Sequence, residues 1–378
     1  MIDLATARET FESSTDYTVG IEEEFALLDP GTNELAPRFE LLRDAAQTDP
    51  LLTESIAGEL ISSEIEIRSG RGEDVADARV RQADRRGRLF TLAAAHGVAL
   101  GSTGTHPLSD YREQHIIDTE HYHRVEDGLK YVAWRNNTFS VHVHVGVRGA
   151  DRAVLVCDRL RPVLPMLLAI SANSPYVDGI DSGLHSARTQ TFTKSFPRCG
   201  VPESFGSWRA WAEYVDLLVR TDSIVEFTQL WWSVRPHHDF GTVEVRICDA
   251  QTTAQEADQL AALIVACVRR AAEEVDAGET PPEEVPGRLI EENMWRAIRY
   301  GLDGSLLDLT APRIEPYPAA EALDRLKAWT GADVALPELN GAQRQRRMID
   351  AGATPAEVYA TAVAETHATY HQEEERVP

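Results

Sequence analysis

Two periodicities of apolar and polar positions divide this chain. Tyr17–Leu28, Glu59–Ser69, Thr138–Val147 and Thr242–Cys248 alternate with a period near two and carry many β-branched residues, which predicts strands. Gly97–Gly101 reads as a short buried strand before a loop at Ser102–Pro107. Leu230–Arg235 reads as a strand turned back onto Thr242–Cys248 at His237–Gly241. Asp29–Asn33 is a turn by composition. Apolar residues at helical spacing predict helices over Glu73–His96, Asp151–Ala172, Ser207–Thr221 and Ala254–Ala277. Ser174–Gly206 is irregular and full of Gly, Pro, Ser and Thr; a loop that long inside a compact domain points to function, for example as a lid. From about residue 283 to 371 helices dominate, with no obvious core of their own, and Ala277–Pro286 is the best candidate linker before them.

Strands and helices are mixed without the short βαβ rhythm of a parallel sheet. The expected fold class is therefore α+β, a mainly antiparallel sheet with helices over one face. Residues 1–378 are expected to form a single catalytic domain, with the helical C-terminal part packed onto it.

Acids and histidines interrupt the apolar alternation. They are Glu22, Glu23 and Glu24 in GIEEEF, Glu64 and Glu66 in SSEIEIRS, His142 and His144 in VHVHVGV, and Glu244 in TVEVRICD. Strand residues two apart point to one face, so Glu22 and Glu24, His142 and His144, and Glu244 and Arg246 form same-face pairs. A row of buried acids is costly unless positive charge neutralises it, and divalent metal ions are the usual answer. Carboxylate-rich sites suit Mg²⁺ or Mn²⁺. A solvated edge strand would also tolerate three acids, but Val19, Ile21 and Phe25 around them weaken that reading.

Glu59 and Glu66 are seven apart, so a straight strand sends them to opposite faces; a bend next to Gly58 would bring them together. Glu64 shares the face of Glu66, and the period alone does not choose between them. The two histidines would suit a zinc site, but no HExxH is present and their partners are carboxylates. One histidine as the nitrogen ligand of an oxygen-rich metal site, or as a phosphate contact, is preferred; a structural pair is the plain alternative. Arg188, Arg235 and Arg246 offer guanidinium forks suited to phosphate and carboxylate oxygens, unless they simply pair with this chain's many acids. No GxxxxGK[ST] loop occurs, and Gly101–Thr105 matches a phosphate loop only faintly. Phosphoryl chemistry on another scaffold is the reading.

The net charge of −24 argues against nucleic acid or an anionic membrane as partner. Lysine occurs only at 130, 194 and 327, which a GC-rich genome explains plainly and a salt-loving host would also explain. Cys157, Cys199, Cys248 and Cys267 form no CxxC pair, Met1–Asp16 lacks a secretory apolar stretch, and no apolar run is long enough for a membrane span. A cytoplasmic protein with free thiols is expected, with Cys157 and Cys267 in the core.

Taken in order, GIEEEF, Ser62–Ser69, GSTGTHP at Gly101–Pro107, VHVHVGV, Ser171–Arg188, His238–Asp249 and Glu292–Gly304 resemble the carboxylate–amine ligases, the type 2 glutamate–cysteine ligase family, over nearly the whole chain. The resemblance implies a curved antiparallel sheet like that of glutamine synthetase, holding ATP and divalent metals, Mg²⁺ or Mn²⁺. It implies that a carboxylate, expected to be the γ-carboxylate of glutamate, attacks the γ-phosphate of ATP. An amine, cysteine or another, then displaces phosphate from the acyl phosphate. By the same resemblance Glu22, Glu59 and Glu66 look like one metal's ligands, Glu24, His142 and Glu244 like those nearest the phosphates, and Arg246 like a phosphate contact. Arg235 and Arg188 carry over more weakly. Asn293, Trp295 and Arg296 match a motif without an assigned role. A homodimer is suggested by the family alone. The competing readings are a related ligase or kinase with another acceptor, a metal hydrolase of amide or phosphate bonds needing no ATP, and a binding protein on a ligase scaffold.

Overall fold

The computed structural model describes residues 3–279 and 285–371. A seven-stranded antiparallel sheet is its centre. The strands are β1 (Val19–Leu28), β2 (Ile56–Ala57), β3 (Glu64–Arg68), β4 (Ala99–Gly101), β5 (Ser140–Gly146), β6 (Val234–His237) and β7 (Thr242–Asp249). Their order is β6-β7-β5-β1-β3-β2, with β4 also pairing with β1. The expected α+β class with a mainly antiparallel sheet is what the fold has.

One face of the sheet is apolar because the alternation makes it so. Ile21, Val141, Val143, Val145, Val243 and Val245 are all 2 % exposed or less. They pack in one cluster with the helices Ala150–Leu160, Leu164–Ser171 and Ala254–Asp276. The C-terminal part joins the same cluster through Ile290, Met294, Ala297, Ile298 and Leu326, so it builds on this core rather than making its own. Part of the proposed linker, 280–284, lies outside the described residues.

Three sequence expectations need correction. Glu59–Ser69 is not one strand: the chain runs through β2, turns over 58–63 and returns as β3, with Ala57 opposite Glu66. Gly58 leaves room at this turn for Phe39 and Ile117, since a Cβ there would lie 2.7 Å from Phe39 Cζ and 2.8 Å from Ile117 Cδ1. Asp151–Ala172 is not one helix: Pro162 and Pro165 split it into Ala150–Leu160, a 3₁₀ turn at Arg161–Val163 and Leu164–Ser171, because proline lacks the N–H that continues a helix. Ser174–Gly206 is not a featureless loop, since it contains a small hairpin at 176–181 and the helix Ala187–Ser195. It is tied down by Asp249, which accepts hydrogen bonds from Asn173 N (2.8 Å), Ser174 Oγ (2.6 Å) and Ser186 Oγ (2.8 Å).

Candidate active site

The other face of the sheet carries the charges, and the strand register brings them side by side. Glu22 on β1 lies opposite His142 on β5, Glu24 opposite Glu66 on β3, and Glu244 on β7 opposite His144 on β5. These residues line a cleft of about 380 Å³ with Glu59, Glu64, Arg68, Tyr122, Arg188, Arg235 and Arg246.

Three groups of ligand atoms each fall within 4.8 Å of one another: Glu22 with Glu66 and His142, Glu22 with His144 and Glu244, and Glu24 with Glu59 and Glu66. Glu59 joins because the β2–β3 turn reverses the chain, which resolves the seven-residue spacing. His144, outside the ligand sets implied by resemblance, stands in one group. The alternation of VHVHV had already placed it beside His142, but spacing could not show which neighbours it would meet across strands.

Glu22 links the first two groups, as Glu66 links the first and third. One oxygen of Glu22 is 3.3 Å from His142 Nδ1 and the other 3.3 Å from His144 Nε2. Burial pushes its carboxyl up, but the two histidines outweigh that and hold it well below the usual range. Glu244 is fully buried, and burial again opposes ionisation. Arg235 (Nε to Oε2, 2.5 Å) and Arg246 (Nη1 to Oε1, 2.5 Å) prevail and keep it well below that range. The other end of the cleft behaves oppositely. Burial and the charge of Glu24 raise Glu59 to about 8. Burial together with neighbouring carboxylates pushes Glu64 and Glu66 well above the usual range, despite Arg68 Nε 3.4 Å from Glu66. Burial lowers the pKa of His142, with Arg246 adding to it, whereas Glu22 and Glu244 overcome burial to raise that of His144.

The donor set fits divalent cations. It is rich in carboxylate oxygen with imidazole nitrogen, and the buried atoms Glu64 Oε2, His144 Nε2 and Arg246 Nε have no hydrogen-bond partner among the described residues. Acids held above their ordinary pKa by one another are what a nearby cation would relieve.

Other expected residues have different places. Arg188 lines the cleft, but its guanidinium donates to the carbonyls of Ile247 (3.1 Å) and Arg246 (3.2 Å). It braces the irregular stretch of β7 between Val245 and Cys248 and so helps set the direction of Arg246. Gly101–Thr105 is not read as a phosphate loop: none of its residues lines the cleft, and Gly104 packs against Asp249, where a Cβ would sit 2.7 Å from its carboxyl. Asn293 exchanges hydrogen bonds with the backbone of Leu307 (2.9 and 2.7 Å), a structural role. Sequence reasoning missed His237 and Phe240, whose stacked rings lie 4.5 Å apart beside His144. Carrying the strand alternation from Leu230–Arg235 two residues further would have put His237 on the face of Arg235.

An antiparallel sheet that offers acids, histidines and arginines to one cleft suits an ATP-dependent carboxylate–amine ligase, and that is the class to which the chain's relatives assign it. A profile of glutamate–cysteine ligase family 2 matches residues 18–376, and the chain belongs to that family. A Rubrobacter xylanophilus protein provisionally named glutamate–cysteine ligase 2-2 is 40% identical over 319 residues, covering 84% of this chain and 81% of that one. A Gloeobacter violaceus protein with the provisional name glutamate–cysteine ligase 2 is 36% identical over 350 residues, covering 89% and 94%. Among solved structures, glutamate–cysteine ligase from Francisella tularensis in complex with AMP aligns with a TM-score of 0.63 at 12% identity, over 95% of this chain and 91% of that one. A bifunctional glutathione synthetase from Pasteurella multocida aligns with a TM-score of 0.65 at 13% identity; this chain is covered to 98% and spans 54% of that longer chain. These two structures carry the fold comparison.

Proposed function

We propose that this protein joins the γ-carboxylate of glutamate to the amino group of cysteine or another amine, with ATP as the phosphoryl donor. The observation that carries the reading is the convergence of Glu22, Glu24, Glu59, Glu66, His142, His144 and Glu244 with Arg235 and Arg246 in one cleft. A carboxylate oxygen of the donor attacks the γ-phosphorus of ATP and ADP departs. The amine then attacks the acyl carbon, the C–O bond to phosphate breaks, and the amide forms with release of phosphate.

The seven acids and histidines would hold Mg²⁺ or Mn²⁺. When bound, these ions neutralise the phosphate charge and polarise the transferring group. Arg246, whose Nε has no partner among the described residues, offers a donor to a phosphoryl oxygen, and the buried Arg235 lends a second positive charge beside it. Glu244 keeps both guanidiniums fixed before substrate arrives, so little reorganisation is left for the transfer step.

The whole chain is read as one catalytic unit, because its C-terminal helices share the core under the sheet. A cytoplasmic setting is supported by four unpaired cysteines, and no helix among the described residues is long and apolar enough to cross a membrane. A homodimer is the proposed assembly, by family resemblance, and the acidic net charge supports small molecules rather than nucleic acid as partners.

The test is ADP release from ATP, Mg²⁺ and glutamate, with cysteine compared against a panel of amines and the product weighed by mass spectrometry. Glutamate-dependent ADP release with a new amide supports the reading. Turnover of amides or phosphate esters without ATP would replace it with the hydrolase reading.

A further inference from the structure

Glu64 is 1% exposed, lines the cleft, and belongs to none of the three metal-type groups. Every other buried acid of the cleft, namely Glu24, Glu66 and Glu244, stands in at least one of them. Its Oε2 has no hydrogen-bond partner among the described residues. No arginine of the cleft hydrogen-bonds it among the described residues: Arg68 faces Glu66, Arg235 and Arg246 hold Glu244, and Arg188, whose charge favours the ionised form of Glu64, donates to the carbonyls of Ile247 and Arg246. A buried carboxylate with neither metal partners nor a hydrogen-bonded arginine is unfavourable by itself, unless a cation arrives with a ligand.

Its position says which ligand. The arginines suited to phosphate lie at the β6–β7 end of the sheet, whereas Glu64 is on β3, three strands away. Three inter-strand spacings are roughly 14 Å, enough to separate a phosphate end from an end for the organic substrate. At the β3 end the cleft is lined by the uncharged Tyr122, Asn136 and Thr138, by His121, and by Arg68, which is engaged by Glu66, so the cationic partner of Glu64 is assigned to the substrate.

We propose that Glu64 binds the primary ammonium group of an amino substrate at the β3 end of the cleft. This deepens the ligase reading and rests on it. Two sources share the chemistry: the α-ammonium of the glutamate donor, and the amine acceptor before it loses its proton. Glu64→Gln removes the charge and keeps the shape.

The experiment is calorimetric titration of Mg²⁺-loaded wild type and Glu64→Gln with a non-hydrolysable ATP analogue present. The probes are two pairs that differ by the ammonium alone: L-glutamate against glutarate, and L-cysteine against 3-mercaptopropionate. The expected result is a wild-type preference of about tenfold or more for the ammonium-bearing member of one pair, reduced to near unity in the variant. Loss of preference in the glutamate pair assigns the donor, and loss in the cysteine pair assigns the acceptor. Mn²⁺ binding, titrated separately, should be unchanged. The proposal is overturned if wild type shows no ammonium preference, if the variant keeps it, or if the variant loses Mn²⁺ affinity tenfold, which would make Glu64 a metal ligand. Wild type that fails to release ADP in the glutamate assay would sink the ligase reading separately, since the binding preference is measured without turnover.

Discussion

Arg86 and Glu23, 63 residues apart in sequence, meet beneath the sheet, where one guanidinium nitrogen lies 3.3 and 3.2 Å from the two carboxylate oxygens. Glu23 is the middle acid of GIEEEF and points away from the cleft that Glu22 and Glu24 line. Gln82 donates to it at 2.7 Å, and Arg86 also reaches Asp258 at 3.1 Å. Both Glu23 and Arg86 are almost fully buried. The pair fixes β1 to the helices Val75–Ala95 and Ala254–Asp276. Removing one partner strands the other charge in the core, so Arg86→Ala should lower stability by about 3–5 kcal/mol in denaturant unfolding. A loss below about 1 kcal/mol would mean that water or a rearranged partner takes over.

Glu22 contributes to two of the three ligand groups and Glu59 to one. Glu22→Gln should therefore weaken Mn²⁺ binding by about tenfold or more and alter more than one binding event, whereas Glu59→Gln should affect a single one. Calorimetric titration with Mn²⁺ separates these outcomes, and equal effects would contradict the shared role of Glu22.

Glu244→Gln should cut ATP turnover by about a hundredfold or more while the far-ultraviolet circular dichroism stays native. The amide retains an acceptor for one arginine but loses the charge that orients both. Near-normal turnover would remove Glu244 from the site.

Metal-free protein should lose stability as pH rises. Glu59 titrates at about 8 in the folded state, and Glu64 and Glu66 well above their usual range, because of burial and of one another. Unfolded glutamates titrate at about 4.3, so between that value and the folded ones the native state binds more protons. The contribution is fully present below the unfolded pKa and is lost as pH climbs through the folded pKa values. Bound Mg²⁺ takes the place of the protons. Melting curves at about pH 6 and about pH 8.5 should therefore diverge without Mg²⁺ and converge with it. A metal-free protein equally stable at both would show that the acids are not coupled in this way.

Gly104→Ala places a Cβ 2.7 Å from the carboxyl of Asp249, which ties down the segment after Ser171. Overpacking there should cost about 1–3 kcal/mol. Thermal unfolding checks it, and an unchanged melting temperature would show that the Gly101–Thr105 turn has slack.

The chain by itself determined which residues could share a face. Strand alternation is local, so Glu22 with Glu24, His142 with His144, and the buried valines between them were legible in the spacing, as was the antiparallel α+β class. Ordered motifs carried the family. Partnerships across strands depend on register, which spacing does not contain. Only the tertiary structure decided that Glu244 lies opposite His144, that the β2–β3 turn sets Glu59 beside Glu66, and that Arg188 donates to the carbonyls of β7. Glu64 and Glu66 share a face two residues apart and are indistinguishable in sequence. Packing separates them, because one meets Arg68 and two ligand groups while the other faces the cleft with one oxygen unpartnered among the described residues.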